Sequence, residues 1–171
     1  MATLIFVGKL PGSYMNDDAL ENVISYATRS HDSKHFLFCG STCLSGGPSD
    51  MANQMCAIQD LYRTDKDIGR RVAHGILIPD DTMGVLFDEA DMKSLGLMCC
   101  NFFFSMGYQC LFSLFKLPGN SFELHLVINS VSFCNGKKLC LTNQDVLYME
   151  TVFSSYLDLS VEERRLRENG T

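Results

Sequence analysis

The 171-residue sequence has no internal repeat, no low-complexity tract and no linker rich in proline or serine; its four prolines are scattered singly. Nothing divides the chain before its last dozen residues, so one globular domain over residues 1–157 is expected, with a charged C-terminal tail over 158–171. There is no CxxC pair among the eight cysteines, at positions 39, 43, 56, 99, 100, 110, 134 and 140. Cys39 and Cys43 have no second pair at zinc spacing, and the start carries no basic segment followed by an apolar one. The expectation is therefore reduced, packed thiols and a cytoplasmic setting rather than a secreted disulfide framework. Positive charge is also short. Fourteen Lys and Arg stand against twenty Asp and Glu, a formal net charge of -6, which excludes a protein that coats nucleic acid by bulk electrostatics.

What is present is a core. Hydrophobic residues make up 46% and aromatic residues 11% of the chain, and at this length about 70% of the unfolded surface can be buried without staples. Residues 95–115 run without a charge, long enough for a membrane span. Asn101, Ser105, Gly107, Gln109 and Ser113 interrupt the run, and Ser105-Met106-Gly107-Tyr108 reads as a break between a helix and a strand, so no membrane association is expected.

Periodicity predicts strands over 2–7, 36–39, 72–78, 108–116 and 122–133. Helices are predicted from Asn16, from Pro48 to about Tyr62, over 86–106 and over 143–157. Asp17 and Asp18 suit a helix N-terminus, and proline suits the first helical position. Pro118-Gly119-Asn120 and Asn135-Gly136 are turn signals between closely spaced strands. Such hairpins do not occur in a purely doubly wound parallel sheet. The expected fold is α/β in the α+β sense, with a mixed, mainly antiparallel central sheet of about five strands and helices packed on it.

The most informative segment is Phe122-Glu123-Leu124-His125-Leu126-Val127-Ile128-Asn129. Strand parity sends Phe122, Leu124, Leu126 and Ile128 to one side and Glu123, His125 and Asn129 to the other. A carboxylate and an imidazole thus stand about 7 Å apart on one face, a spacing from which hard oxygen and nitrogen ligands converge on Mg, Mn or Zn. The same pattern suits a strand whose polar face meets solvent.

This segment, with Ser130-Val131 and Phe133-Cys134-Asn135-Gly136-Lys137-Lys138 after it, resembles the third motif of the plasmid mobilisation relaxases. These are histidine-hydrophobic-histidine endonucleases that nick and transfer conjugative DNA. Met1-Ala2-Thr3-Leu4, Ala19-Leu20 to Tyr26, Lys34, residues 38–43, Leu61-Tyr62-Arg63-Thr64 to Gly69-Arg70, His74 and Gly107-Tyr108-Gln109 follow in the family's order. The resemblance implies single-stranded DNA at an origin of transfer as substrate and a relaxosome accessory protein as partner. It implies attack by a tyrosine on a phosphate to leave a 5′-phosphotyrosyl bond, and a divalent cation, Mg or Mn, held by three histidines against the phosphate charge. Tyr26 matches the nucleophile. Lys116 and Glu123 stand where the family has two of its three histidines, and His125 matches the third. A cation held by Glu123 and His125 with help from Asn129 is then bound weakly or not at all, and Lys116 offers a point charge in its place. The resemblance equally accommodates a catalytically silent homologue that binds DNA or a relaxosome partner.

His74 matches a family histidine outside the metal triad, and its apolar neighbours Val72, Ile76 and Ile78 point to a core imidazole. His31 and His35 are expected in a solvent-facing loop. Met51 and Met55 read as core. Arg63, Lys66, Arg70 and Arg71 form the one basic run able to hold DNA phosphates, diluted by Asp60, Asp65 and Asp67.

Overall fold

The computed structural model describes residues 2–7, 14–28, 35–63, 69–79, 87–119 and 121–169, side chains being described to residue 159. The elements are β1 (Ala2–Val7), α1 (Ala19–Thr28), β2 (Phe36–Ser41), α2 (Pro48–Leu61), β3 (Val72–Pro79), α3 (Glu89–Ser105), β4 (Cys110–Lys116), β5 (Phe122–Asn129) and α4 (Asn143–Asn169). The strands form one sheet in the order β1-β3-β5-β4-β2. Every pairing in it is antiparallel, so the fold is α+β, and the expected antiparallel character extends to the whole sheet.

Helices cover both faces. On one, α3 and α4 pack Met92, Leu95, Phe103, Met149 and Phe153 against Leu4, Phe112, Leu124 and Leu126. On the other, α1 and α2 set Leu20, Val23, Ile24 and Met55 on Val72, Leu111 and Val127. The uncharged run splits where its polar residues lie. Helix α3 starts on a reciprocal cap in which Asp88 Oδ1 accepts from Asp91 N and Asp88 N donates to Asp91 Oδ2, a pairing that satisfies two end groups at once. It stops at Met106, and Gly107, at φ 86°, turns the chain towards β4, a conformation that favours glycine. Gly96 lets α3 lie close on the sheet, because a Cβ there would come within 2.3 Å of the Phe112 ring. Among the described residues no helix is long and apolar enough to cross a membrane.

Several boundaries differ from the sequence reading: α1, α3 and β4 begin two or three residues later than expected. Strand β5 ends at Asn129, and the Asn135-Gly136 signal closes only an isolated antiparallel bridge, Val131 with Lys138. Strand β2 runs on to Ser41. Helix α4 continues to Asn169 through most of the expected tail. All eight cysteines are free thiols.

Candidate active site on the α1 face of the sheet

Strand β5 lies at the centre of the sheet, and its register decides which side chains meet. His125 pairs with Ile76 of β3 and Ser113 of β4, while His74 pairs with Val127. His74 and His125 are therefore diagonal neighbours on adjacent strands and share a face, within reach of ring-sized side chains. Their rings stack at 5.2 Å between centroids, 27° apart, and His74 Nε2 lies 3.0 Å from His125 Nδ1. Both residues are 1% exposed. On its other side His125 Nε2 stands 3.6 Å from Glu123 Oε1, and the Phe115 ring meets the imidazole edge-on at 5.1 Å. One of the two facing nitrogens donates and the other accepts, according to tautomer, and the Glu123 carboxylate stands just beyond hydrogen-bond distance of Nε2.

Helix α1 brings the tyrosine to this group. Leu20, Val23, Ile24 and Ala27 are its buried stripe, and Ser113 Oγ donates to the Ala27 carbonyl at 2.5 Å, tying the last turn to β4 directly beside His125. Tyr26, on the flank of that stripe, is 50% exposed. Its ring lies 5.9 Å from that of His74 and 6.0 Å from that of His125. Tyr26, His74, His125 and Glu123 thus form one cluster with the phenol at its solvent side and the imidazoles beneath.

Other residues expected at the site lie elsewhere. Lys116 pairs with Phe122 and rests its Nζ 5.9 Å from that ring. Directly paired residues share a face, so Lys116 belongs to the face opposite His125, a correction to its expected role at the phosphate. Asn129 is fully buried, four positions beyond His125. Its Nδ2 donates to the Met55 carbonyl and to Gln109 Oε1, and its Oδ1 accepts from Gln59 Nε2 and Val131 N. All four bonding positions of the amide are filled. Asn129 therefore ties α2 to the end of β5 and has no lone pair for a cation, which corrects its assignment as a ligand.

The basic run also divides. Arg71 is buried and contacts Asp17 Oδ1 at 2.9 Å, and Arg63 reaches the same carboxylate at 3.2 Å. Arg70 lines a cavity of about 250 Å³ with Phe6, Ala73, Ser130 and Leu139. Lys66 and His31 lie outside the described residues. His35, placed by the sequence reading in a loop, has Nδ1 3.0 Å from the Lys116 carbonyl.

The residues present do not fit the three-ligand cation site that the relaxase resemblance implies. Both nitrogens of His125 are directed at neighbours, Asn129 is saturated and Lys116 is on the other face. Among the described residues no group of three or more His, Cys, Asp or Glu side chains is placed to hold a metal ion. His74, read from the sequence as a core imidazole, is buried as expected but also contacts His125, and Ser113 is the neighbour that no sequence signal singles out. A scan against protein-family models finds no match, and a search of curated proteins finds none.

Proposed function

We propose that this chain is a relaxase-like domain that binds single-stranded DNA at an origin of transfer, in the cytoplasm, and nicks it by transferring a phosphodiester to Tyr26. The observation that carries the reading is the half-exposed phenol about 6 Å from two buried, mutually bonded imidazoles. A tyrosine that only anchored a helix would have no need of such a floor. In the reaction Tyr26 Oη attacks phosphorus, the bond to the 3′ oxygen breaks, and the products are a 5′-phosphotyrosyl linkage and a 3′-hydroxyl end. Held between enzyme-bound ends, such a linkage is reversible, which is the chemistry strand transfer needs.

The second reading is a catalytically silent homologue that serves as a DNA-binding or relaxosome interaction module. The positions of Lys116 and Asn129, both away from the tyrosine, favour it. One experiment separates the two. The chain is incubated with a random-sequence pool of single-stranded oligodeoxynucleotides, the protein is digested, and mass spectrometry seeks a nucleotide on the Tyr26 peptide. Modified Tyr26 supports the transferase, retention of DNA without modification supports the silent module, and neither result overturns both.

A further inference from the structure

The imidazole on which the resemblance would hang a cation is already engaged on both sides. His125 Nδ1 is 3.0 Å from His74 Nε2, and His125 Nε2 is 3.6 Å from Glu123 Oε1. Both rings are buried, and Phe115 covers the edge of His125. A cation at Nδ1 would have to break the contact between the histidines, and one at Nε2 would find Glu123 as its one other protein ligand among the described residues, since Asn129 is saturated and Lys116 lies on the other face. The chemistry still needs two things at Tyr26: somewhere for the phenol proton to go, and a means of protonating the leaving oxygen. A hydrogen-bonded imidazole pair backed by a carboxylate supplies both, since it accepts a proton and the carboxylate offsets the charge that results.

We infer that the tyrosine transfer proceeds without a cation, and that the His74–His125 pair, with Glu123 behind it, is the proton acceptor and donor for Tyr26. The inference rests on the transferase reading and names the acid–base group within it. As the bond from Tyr26 Oη to phosphorus forms and the P–O3′ bond breaks, the phenol proton passes to the imidazole pair. The pair then carries one positive charge facing Glu123 Oε1 and returns the proton to the departing 3′ oxygen. No proton is gained or lost overall, and rejoining is the same sequence reversed. With ring centroids 5.9 and 6.0 Å away, the pair is within reach of the phenol directly or through one water. His74 thereby changes from a core residue into a participant, and Ser113 becomes a positioning residue that holds the end of α1 above it.

The test uses the full chain and the random-sequence single-stranded pool labelled at the 3′ end, so that the label stays with protein after transfer. Labelled protein is counted on denaturing gels in excess EDTA and, in parallel, in Mn. The expected result is equal adduct formation in both, abolished in Tyr26→Phe. His74→Ala should form adduct about 100-fold more slowly, the low end of the loss of a general acid–base group, and added imidazole should restore it. His74→Gln keeps an amide to bond His125 but cannot take up a proton, so it should be equally slow; thermal melts verify that both variants are folded. Adduct that requires Mn overturns the inference and leaves the transferase reading in place. Full activity in His74→Gln, or a His74→Ala variant that imidazole does not revive, also overturns it. No adduct under either condition overturns the transferase reading and the inference together.

Discussion

Along β5, Leu124, Leu126 and Ile128 enter the core beneath α3 and α4 with other apolar side chains around them, whereas Glu123, His125 and Asn129 at the alternate positions face α1 and α2. The same strand therefore serves two purposes at a period of two. On the α3/α4 face the neighbours are Phe112, Leu114, Met92, Leu95 and Phe103, a continuous hydrophobic layer. On the α1/α2 face the apolar cluster is smaller and is broken by His74, Ser113, His125 and Asn129, all of them buried. Burying polar groups stabilises nothing unless each is bonded. That these four sit together, bonded to one another or to helix carbonyls, teaches that one face is held mainly by apolar packing while the other combines apolar packing with a fixed set of buried, bonded polar side chains.

The largest effect should come from breaking the apolar face. Phe112 is fully buried between Phe38 and the bare backbone of Gly96. Phe112→Ala should cost about 3–5 kcal/mol, combining lost transfer energy with the cavity left behind. Tyr26→Phe on the opposite face should change stability by less than about 0.5 kcal/mol, because it removes one hydroxyl from a half-exposed side chain. Urea denaturation of the two variants measures this contrast; comparable losses would show that the division between the faces is wrong.

Next in size is Asn129. Asn129→Ala takes one partner each from Gln59 Nε2, which keeps the Arg71 carbonyl, and from the Met55 carbonyl, Gln109 Oε1 and Val131 N. The expected loss is about 3 kcal/mol, since buried groups without partners carry their desolvation cost. Titration calorimetry with Mn should be the same before and after the change. A lost heat of binding in a variant that is still folded would restore Asn129 as a ligand.

Much of the fold was legible because it depends on short-range rules. Alternation gave β1 and β3 nearly to the residue, and Pro48 and Gly107 mark a helix start and a helix end through their own backbone preferences. The site was legible only within one element, as with Glu123 and His125, whose parity needs no partner strand. His74 was read as core, and it is buried, but its contact with His125 depends on which strands pair and in what register, and that is set by tertiary packing. Lys116 is different, because the clue was present. A hairpin that turns at Pro118 and Gly119 pairs Lys116 with Phe122, and Phe122 had already been placed on the apolar face. Asn129 satisfied the parity rule and failed as a ligand because α2 and Gln109 reached it first.

A smaller effect concerns the basic segment. Asp17 neutralises Arg63 and Arg71 together, and its side chain is 70% exposed, so its solvent-screened pair with Arg63 is worth no more than about 1 kcal/mol, while in Asp17→Asn the buried Arg71 also loses this counter-charge and adds to the cost. The change also frees the half-exposed Arg63 for a phosphate. Gel shifts with single-stranded oligonucleotides across a salt series should show tighter binding and a slope of log K against log salt steeper by about 0.7, the value for one added phosphate contact on a single strand. An unchanged slope would remove this segment from the DNA surface. Arg71→Glu is the wrong probe, since it places a second carboxylate beside Asp17 in a buried position.

The last effect is an alkaline one, and it reads the edge of the sheet where the two faces meet. Cys39 of β2 packs beside the α1/α2 cluster, and burial, with a lesser contribution from the nearby Cys100, pushes its thiol up to about 11 from an ordinary value of 9.0. Burial likewise raises Cys99 and Cys110 on the α3/α4 side. The sign follows from comparing the two states. Below pH 9 the thiols are protonated whether the chain is folded or not, and their contribution is constant. Above it the unfolded chain ionises first, so unfolding is favoured increasingly until the folded thiols ionise as well. Stability should therefore hold flat from pH 7 to 9 and decline from pH 9 to 11. At pH 8, Cys39 should react with iodoacetamide about 100-fold more slowly than a thiol at the ordinary value, because two pH units separate their thiolate fractions. The exposed Cys134 and Cys140 provide the internal reference by peptide mapping. Alkylation of Cys39 as fast as of those two would mean that the edge of the sheet opens to solvent.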